Sequence, residues 1–276
     1  MIHFTADDLD RVLAQLPLER GDVVFSHSNL GFFGKPEGIS SMDDMCAMFL
    51  DAIFARLGPD GVLVVPTFTY SFPRGEIFDP AETASGMGAF AEWVRLHPDS
   101  RRSHDPCYSV AAIGARAAAF TDDAPENSFG PDSFFDRFHE AGGKVLNFNF
   151  DAGSTYVHYV ERVLGVPYRF DKSFQGILRQ DGHDTEARSI IWVRYLSDDA
   201  LEAAFEPFDQ LARTCGMFRT APLGRGAIGL ISAADTFHLI AETLPKRPLF
   251  LTRAEALGIT TPRIVPETPI EAGCVP

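Results

Sequence analysis

Apolar residues recur along this chain in two alternating patterns. Leu9, Val12, Leu13 and Leu16 follow helical spacing after a Thr5 N-cap, which predicts an opening amphipathic helix. Short apolar runs then alternate with longer helical patterns. Strands are predicted at 23–25, 62–65, 110–113, 145–148 and 227–231, and helices at 41–57, 89–96, 133–141, from 154 onward, 201–215 and 233–244. This alternation predicts an α/β fold, with three α/β/α layers around a central, mostly parallel sheet.

Two segments depart from this alternation. The stretch 69–105 is irregular outside its one helix, and long irregular segments often carry function. Residues 166–200 look β-rich, because an Asp181-Gly182 turn separates two apolar runs and predicts a hairpin. We therefore expect a single domain spanning 1–276, with a small β-rich excursion near 166–200.

Composition and charge narrow the class of protein. The 276 residues are 45% hydrophobic, and their net charge of −14 disfavours a nucleic-acid binder, which needs clustered Lys and Arg. The four cysteines are far apart and form no C-x-x-C pair, which indicates reduced thiols of a cytoplasmic protein. The N-terminal helix lacks the features of a signal peptide, and no later apolar run approaches ~18 residues, so neither export nor membrane insertion is expected.

A histidine and a glutamate stand three residues apart in the predicted helix that begins near Ser154. His158 and Glu161 therefore share one helical face. An imidazole with a pKa near ~6.5 can take a proton from an amine at neutral pH, which makes His158 a candidate general base and Glu161 a candidate for orienting it. The alternative is an ordinary surface pair or a buried, hydrogen-bonded imidazole.

Polar residues follow three predicted strand boundaries. The loop FSHSNLG at 25–31 offers backbone N–H groups to a phosphate, an amide oxygen or an oxyanion, although it also fits an ordinary turn. PTFTY at 66–70 ends the second strand, where ligands of open α/β sheets bind. RRSHDPCYS at 101–109 presents an arginine pair that suits an anion or is simply solvated.

The sequence gives little support for a zinc site or a nucleotide-binding loop. Zinc could in principle be bound by His27, His104, His158 and Glu161, but the chain has no H-E-x-x-H motif and no Cys/His cluster, so no metal is expected. Glycine-rich nucleotide loops are also missing from the sequence, and Gly224-Arg225-Gly226 precedes a predicted strand and therefore indicates a turn.

Taken in order, these segments resemble the antibiotic N-acetyltransferase family, typified by coenzyme A-dependent aminoglycoside 3-N-acetyltransferases. The resemblance covers nearly the whole chain and is carried by SHSNLG at 26–31, VVPTFTY at 64–70, FDP at 78–80, RSHDPCYSVAAIG at 102–114, FGPDS at 129–133, GGKVLNF at 142–148 and TYVHYVE at 155–161.

The resemblance implies an enzyme that transfers an acyl group from acyl-CoA to an amine. The histidine of the family's T-x-x-H-x-x-E element corresponds to His158, and backbone amides near Asn29 and Leu30 would stabilise the oxyanion. The residues expected to bind the coenzyme are Ser26, His27, Ser28, Asn29, Leu30, Thr67, Arg102 and Ser103.

One departure bears on the acceptor. Aminoglycoside-modifying members carry an acidic E-D-F-D cluster after the late Trp-containing strand, whereas this chain has WVRYL with Arg194. A cation there would repel an aminoglycoside and attract phosphate. The segment thus resembles the surface-polysaccharide branch, which implies a nucleotide-linked amino sugar as acceptor, bound by Thr69, Tyr70, Arg169, Lys172 and Arg194.

Two other functions remain open at this point. One is a true aminoglycoside 3-N-acetyltransferase, and the other is a non-catalytic protein that binds coenzyme A. The expected partners are small molecules, without nucleic acid or membrane, and a homodimer is possible.

Overall fold

The computed structural model describes residues 1–266. Its strands are β1 Val23–Phe25, β2 Val62–Pro66, β3 Arg101–Arg102, β4 Val110–Ile113, β5 Lys144–Phe148, β6 Arg169–Gln180, β7 His183–Arg194, β8 Arg219–Leu223 and β9 Gly226–Ser232. Its α-helices are α1 Ala6–Ala14, α2 Met42–Leu57, α3 Ala89–Leu96, α4 Ala118–Thr121, α5 Phe134–Glu140, α6 Tyr156–Leu164, α7 Glu206–Thr214, α8 Ala233–Thr243 and α9 Arg253–Leu257. No helix in this part of the chain is long and apolar enough to cross a membrane.

Seven strands form the central sheet in the order β3-β4-β2-β1-β5-β9-β8. The three middle strands, β2, β1 and β5, run parallel, while β4 and β9 pair antiparallel with their neighbours. Five of the seven strands therefore point the same way, with β4 and β9 reversed. The predicted α/β class with its mostly parallel sheet is confirmed.

Helices cover both faces of this sheet. Along β1 the side chains alternate, so Val24 packs with α1, α2 and α3 on one face, and Phe25 packs with α5, α6 and α8 on the other. The outer helices are held by ordinary caps: Thr5 and Asp8 form a capping box on α1, and Ser41 caps α2. Two apolar cores thus enclose the strands, which gives the three layers.

The β-rich excursion is a long two-stranded hairpin. β6 and β7 pair from Arg169–Arg194 to Gln180–His183, and Asp181 and Gly182 make the turn with φ of 50° and 76°. Positive φ at both turn residues matches the right-handed twist of a hairpin and favours Asp-Gly. The predicted excursion and its turn are confirmed.

Some boundaries differ from the sequence prediction. α7 begins at Glu206 and not near Leu201, because Asp198 accepts a hydrogen bond from the Ala200 amide and starts a separate 3-10 turn there. β3 and β8 were not predicted as strands. The Gly224-Arg225 turn is confirmed, since it joins β8 to β9.

The turn after α6 sets up the functional site. Gly165 ends the helix with a left-handed φ of 67°, and the Val166 amide donates to the Glu161 carbonyl at 3.1 Å. The chain reverses and enters β6, which brings the first residues of that strand beneath the helix.

Candidate active site

His158 and Glu161 form a direct pair on α6, as their spacing predicts. His158 Nδ1 lies 2.6 Å from Glu161 Oε2, and no hydrogen bond within residues 1–266 involves His158 Nε2. The His158 side chain is 16% exposed, whereas the Glu161 side chain is fully buried. A ring held at one nitrogen leaves the other free to take a proton, so this geometry suits a general base.

Two residues after the Gly165 turn complete the environment of the carboxylate. The Tyr168 hydroxyl donates to Glu161 Oε1 at 2.9 Å, and Arg169 Nε lies 2.9 Å from Glu161 Oε2. Arg169 is almost completely buried, with a side chain that is 6% exposed. Both carboxylate oxygens are therefore engaged, as a buried charge requires.

These contacts set the protonation states. Burial alone would raise the pKa of Glu161, but Arg169, His158 and Tyr168 together lower it below 4.5, so the carboxylate is ionised. Burial, and then the charge of Arg169, lower the pKa of His158 below 6.5 despite the opposing effect of Glu161. His158 is consequently a neutral imidazole at neutral pH, as a base must be.

Aromatic rings surround His158, the candidate base. Phe129 and Phe205 lie with ring centroids 6.3 and 5.5 Å from His158. The ring of Phe129 contacts Tyr108 at 4.8 Å, and Tyr108 contacts Tyr70 at 5.2 Å. This row connects the base to the loop after β2, where Tyr70, expected to bind the acceptor, adopts a left-handed φ of 51°.

The loop after β1 also reaches α6. Nε2 of His27 lies 3.4 Å from Oγ1 of Thr155, the N-cap residue of α6. Ser26 is fully buried, and Ser28 forms an isolated bridge with Phe148. Three of the expected coenzyme residues thus follow β1 directly, and one of them, His27, contacts the start of the helix that carries His158.

The expected oxyanion donors are only partly available. The Asn29 amide donates to the Phe148 carbonyl at 3.0 Å, so it cannot serve an oxyanion, and this part of the prediction is wrong. Leu30 opens a 3-10 turn and buries its side chain in the core. Coenzyme binding by the Asn29 side chain, which is exposed, stays a prediction.

Hydroxyls after β2 are engaged within the fold. Thr67 pairs with Ser109 at 3.0 Å, and Thr69 donates to the Pro106 carbonyl at 2.9 Å. Ser103 accepts a hydrogen bond from the Val110 amide at 2.9 Å. All three expected ligand residues are buried, so they shape this edge of the sheet, and any direct binding role stays a prediction.

Arg102 braces the irregular segment. Its guanidinium donates to the hydroxyl and carbonyl of Thr67 at 3.2 and 2.9 Å and to the carbonyls of Pro80 and Thr83. It also stacks 5.1 Å from the Phe78 ring, and burial lowers its pKa to about 10. These contacts use four of the five N–H groups of the guanidinium, which leaves one N–H for a ligand. Coenzyme binding by Arg102 stays a prediction.

The expected cationic patch does not form. Arg169 is buried against Glu161, so its assignment to the acceptor is wrong. Arg194 stands opposite Arg169 in the hairpin and lies 3.9 Å from Asp199. Lys172 lies above the Phe174 ring at 5.8 Å, on the other face of β6, because successive strand residues point to opposite faces.

Several residues around the base were missed by sequence reasoning. Tyr168 stands beside Arg169, but only the reversal at Gly165 reveals that both meet Glu161. Phe129 and Phe205 are distant in sequence and carry no pattern that distinguishes them from core residues. Cys107 is fully buried, and burial raises the pKa of its thiol to about 12, so it stays protonated at neutral pH. Within residues 1–266 no group of three or more His, Cys, Asp or Glu side chains could hold a metal ion.

Comparisons with known proteins identify the family. A family model described as Aminoglycoside 3-N-acetyltransferase matches residues 26–245. Aminoglycoside N(3)-acetyltransferase IV of Salmonella sp is 27% identical over 242 residues, which cover 86% of each chain. Aminoglycoside N(3)-acetyltransferase III of Salmonella sp is 25% identical over 293 residues, which cover 99% of each. The solved structure of AAC-IIIb in a binary complex with CoASH shares the fold, with a TM-score of 0.75, 23% identity and coverage of 88% of this chain and 97% of the other.

These matches correct the acceptor prediction. The family model and both curated relatives are aminoglycoside acetyltransferases, so the expectation of a nucleotide-linked amino sugar from surface-polysaccharide synthesis is wrong. It rested on Arg194, and the cation patch that would have bound a diphosphate is not assembled. The expected enzyme class and acyl-CoA co-substrate are confirmed. The chain is therefore an acyltransferase that uses acyl-CoA, and it belongs to the antibiotic N-acetyltransferase family.

Proposed function

We propose that this protein transfers the acetyl group of acetyl-CoA to the 3-amino group of an aminoglycoside. The observation that carries the proposal is the buried His158–Glu161 pair, at 2.6 Å, on a fold and sequence of this family. A sugar ammonium must lose a proton before its nitrogen can attack, and the pair supplies a neutral base at that point.

The reaction needs only one proton acceptor in the chain. Nε2 of His158 takes a proton from the ammonium, and Glu161 holds Nδ1–H so that the ring keeps its orientation and its new charge is balanced. The amine lone pair forms a C–N bond with the thioester carbonyl carbon. His158 passes its first proton to solvent and takes the second from the nitrogen, which is positively charged in the tetrahedral intermediate. The intermediate then collapses, the C–S bond breaks, and the departing thiolate of CoA receives that second proton from His158, so one proton is released overall. No acyl-enzyme is formed.

The charge of the protein suits a polycationic acceptor. A net charge of −14 attracts cations at long range, which raises their rate of encounter with the protein. Arg194 does not oppose this, because it lies beside Asp199, whose side chain is 90% exposed. The acidic protein and the neutral base together favour an aminoglycoside.

Release of free CoA thiol from acetyl-CoA tests the function directly. We expect turnover with kanamycin-like aminoglycosides and loss of at least ~100-fold in His158→Asn, whose side chain lacks a basic nitrogen. Mass spectrometry of the product should show one added acetyl group on the 3-amine. Binding of acetyl-CoA without turnover of any aminoglycoside would refute the proposal and support a non-catalytic binding protein.

Two coarser points accompany the proposal. We expect the enzyme to work in the cytoplasm, where acyl-CoA is supplied, and fractionation of cells would check this. Sedimentation equilibrium would distinguish a homodimer from a monomer of 30.3 kDa.

A further inference from the structure

A second imidazole lies beside the first turn of α6. His27 Nε2 is 3.4 Å from the Thr155 hydroxyl, and the Thr155 carbonyl accepts the His158 amide at 3.0 Å. Thr155 and His158 are three residues apart and share a helical face. His27 and His158 therefore flank the same helical turn, one from the loop after β1 and the other from α6.

The other nitrogen of His27 points into the protein. His27 Nδ1 and Asn147 Oδ1 are both buried without a hydrogen-bonding partner in the described chain. Phe25 pairs with Val145 across β1 and β5, so His27 and Asn147 are neighbours two residues further on, on the same face of the sheet. The two unpartnered atoms are thus on adjacent side chains.

The orientation of the Asn147 amide determines which nitrogen of His27 carries the proton. Asn147 Nδ2 donates to two backbone carbonyl oxygens, at 2.6 and 3.3 Å. Carbonyl oxygens only accept, so the amide oxygen of Asn147 is the atom left to face His27. An acceptor there favours the proton on Nδ1 and leaves the lone pair of the ring on Nε2.

The ring stays uncharged at neutral pH. Burial lowers the pKa of His27 to about 4, although contact with Asn147 partly opposes this effect. The Thr155 hydroxyl does not use up the lone pair, since 3.4 Å is longer than a good hydrogen bond. His27 therefore presents a neutral acceptor near the base, and it does not compete with His158 for protons.

We propose that Nε2 of His27 accepts a hydrogen bond from the attacking amine while His158 removes a proton from the same nitrogen. The inference rests on the proposed function, which supplies the amine. After one proton has left, the nitrogen still carries two N–H bonds and one lone pair. Holding one N–H at His27 directs the lone pair toward the thioester carbonyl. His27 transfers no proton in this scheme.

Matched variants test the assignment. His27→Phe keeps a flat ring but removes the lone pair, and we expect kcat with an aminoglycoside to fall roughly ten- to a hundredfold with acetyl-CoA affinity unchanged by calorimetry. Thr155→Val is the matched comparison, because the Thr155 side chain does not cap α6 and the variant leaves the His27 ring in place, so its turnover should fall less than that of His27→Phe. Wild-type turnover in His27→Phe, or weaker acetyl-CoA binding with an unchanged kcat, would overturn the inference.

A spectroscopic measurement on the wild type tests the same assignment. It requires no acceptor and does not depend on whether a variant folds. NMR of nitrogen-labelled histidine in the wild type should show His27 neutral, with Nδ1 protonated and Nε2 bare, from pH 6 to 8. A proton on Nε2 would overturn the inference. A wild type that acetylates no aminoglycoside would instead refute the proposed function, so the two failures are distinguishable.

Discussion

Replacing Arg169 by methionine would remove the buried cation beside the His158–Glu161 pair. Methionine is about as long and flexible as the aliphatic part of arginine, so it can fill the space while removing the charge. Arg169 Nε and His158 Nδ1 contact the same oxygen of Glu161, at 2.9 and 2.6 Å. The variant therefore alters the charge around His158 and Glu161 and leaves both residues in place.

The loss of stability can be worked from burial. Removing one partner of a buried ion pair costs about 3–5 kcal/mol. We take the lower end, about 3 kcal/mol, because Glu161 keeps its contacts with His158 and Tyr168. For a chain of this size each kcal/mol corresponds to about 2–4 °C, so the melting temperature should fall by about 6–12 °C. Scanning calorimetry on Arg169→Met would measure it.

The same variant should change the pH dependence of the reaction. Arg169 lowers the pKa of His158, after burial, so its removal raises that pKa. A base with a higher pKa stays protonated to higher pH. The rising limb of kcat against pH should therefore move to higher pH in Arg169→Met, and activity should recover in alkaline buffer.

Arg169→Lys is the matched control, because it keeps the charge and loses only the planar guanidinium. We expect its pH profile to lie close to that of the wild type. The reasoning is refuted if Arg169→Met melts like the wild type and its pH profile does not move, since Arg169 would then be electrostatically unimportant.

Three further predictions concern other contacts. Tyr168→Phe removes one donor to Glu161 and should lower the melting temperature by about 2–6 °C while kcat falls less than in His158→Asn; thermal scans and thiol release measure both. Arg102→Ala should destabilise the protein, because Thr67 and the carbonyls of Pro80 and Thr83 lose a donor. If KM for acetyl-CoA also rises at a temperature well below the melting point of the variant, the remaining N–H of Arg102 binds coenzyme. The pKa of Glu161 is lowered in the folded state, so its charge stabilises the fold above pH 4.5, and this stabilisation is lost as pH falls through the folded pKa. In acid unfolding, Glu161→Gln should therefore lose less free energy of unfolding than the wild type over that pH range.

Much of the fold was predictable because its signals are local. The strand at Val62–Pro66 is an unbroken apolar run, and α3 follows helical spacing between its ends. β8 was missed because its sequence, RTAPL, is half exposed and contains proline, which is typical of an edge strand and weak as a signal. β3 has only two residues and exists through its partner β4.

Residues of the candidate site could be predicted from the sequence only where they lie together on one helix or strand. His158 and Glu161 were found from their spacing on a helix, and that pair is confirmed at 2.6 Å. The role of Arg169 could not be predicted from the sequence, because a cation near a predicted pocket can bind either a ligand or a buried carboxylate. Which of the two it meets depends on the direction of the chain after Gly165.

His158 and the groups that surround Glu161 occupy one short stretch of chain. His158, Glu161, Tyr168 and Arg169 fall within twelve consecutive residues, and closing so short a loop costs little entropy. The neighbouring rings of Phe129 and Phe205 come from segments far away in sequence. The residues proposed for proton transfer thus form one short continuous segment, whereas the surfaces around them come from other parts of the chain. Under the proposed function, substitutions in those surfaces can therefore change the acceptor while the proton-transfer groups stay the same.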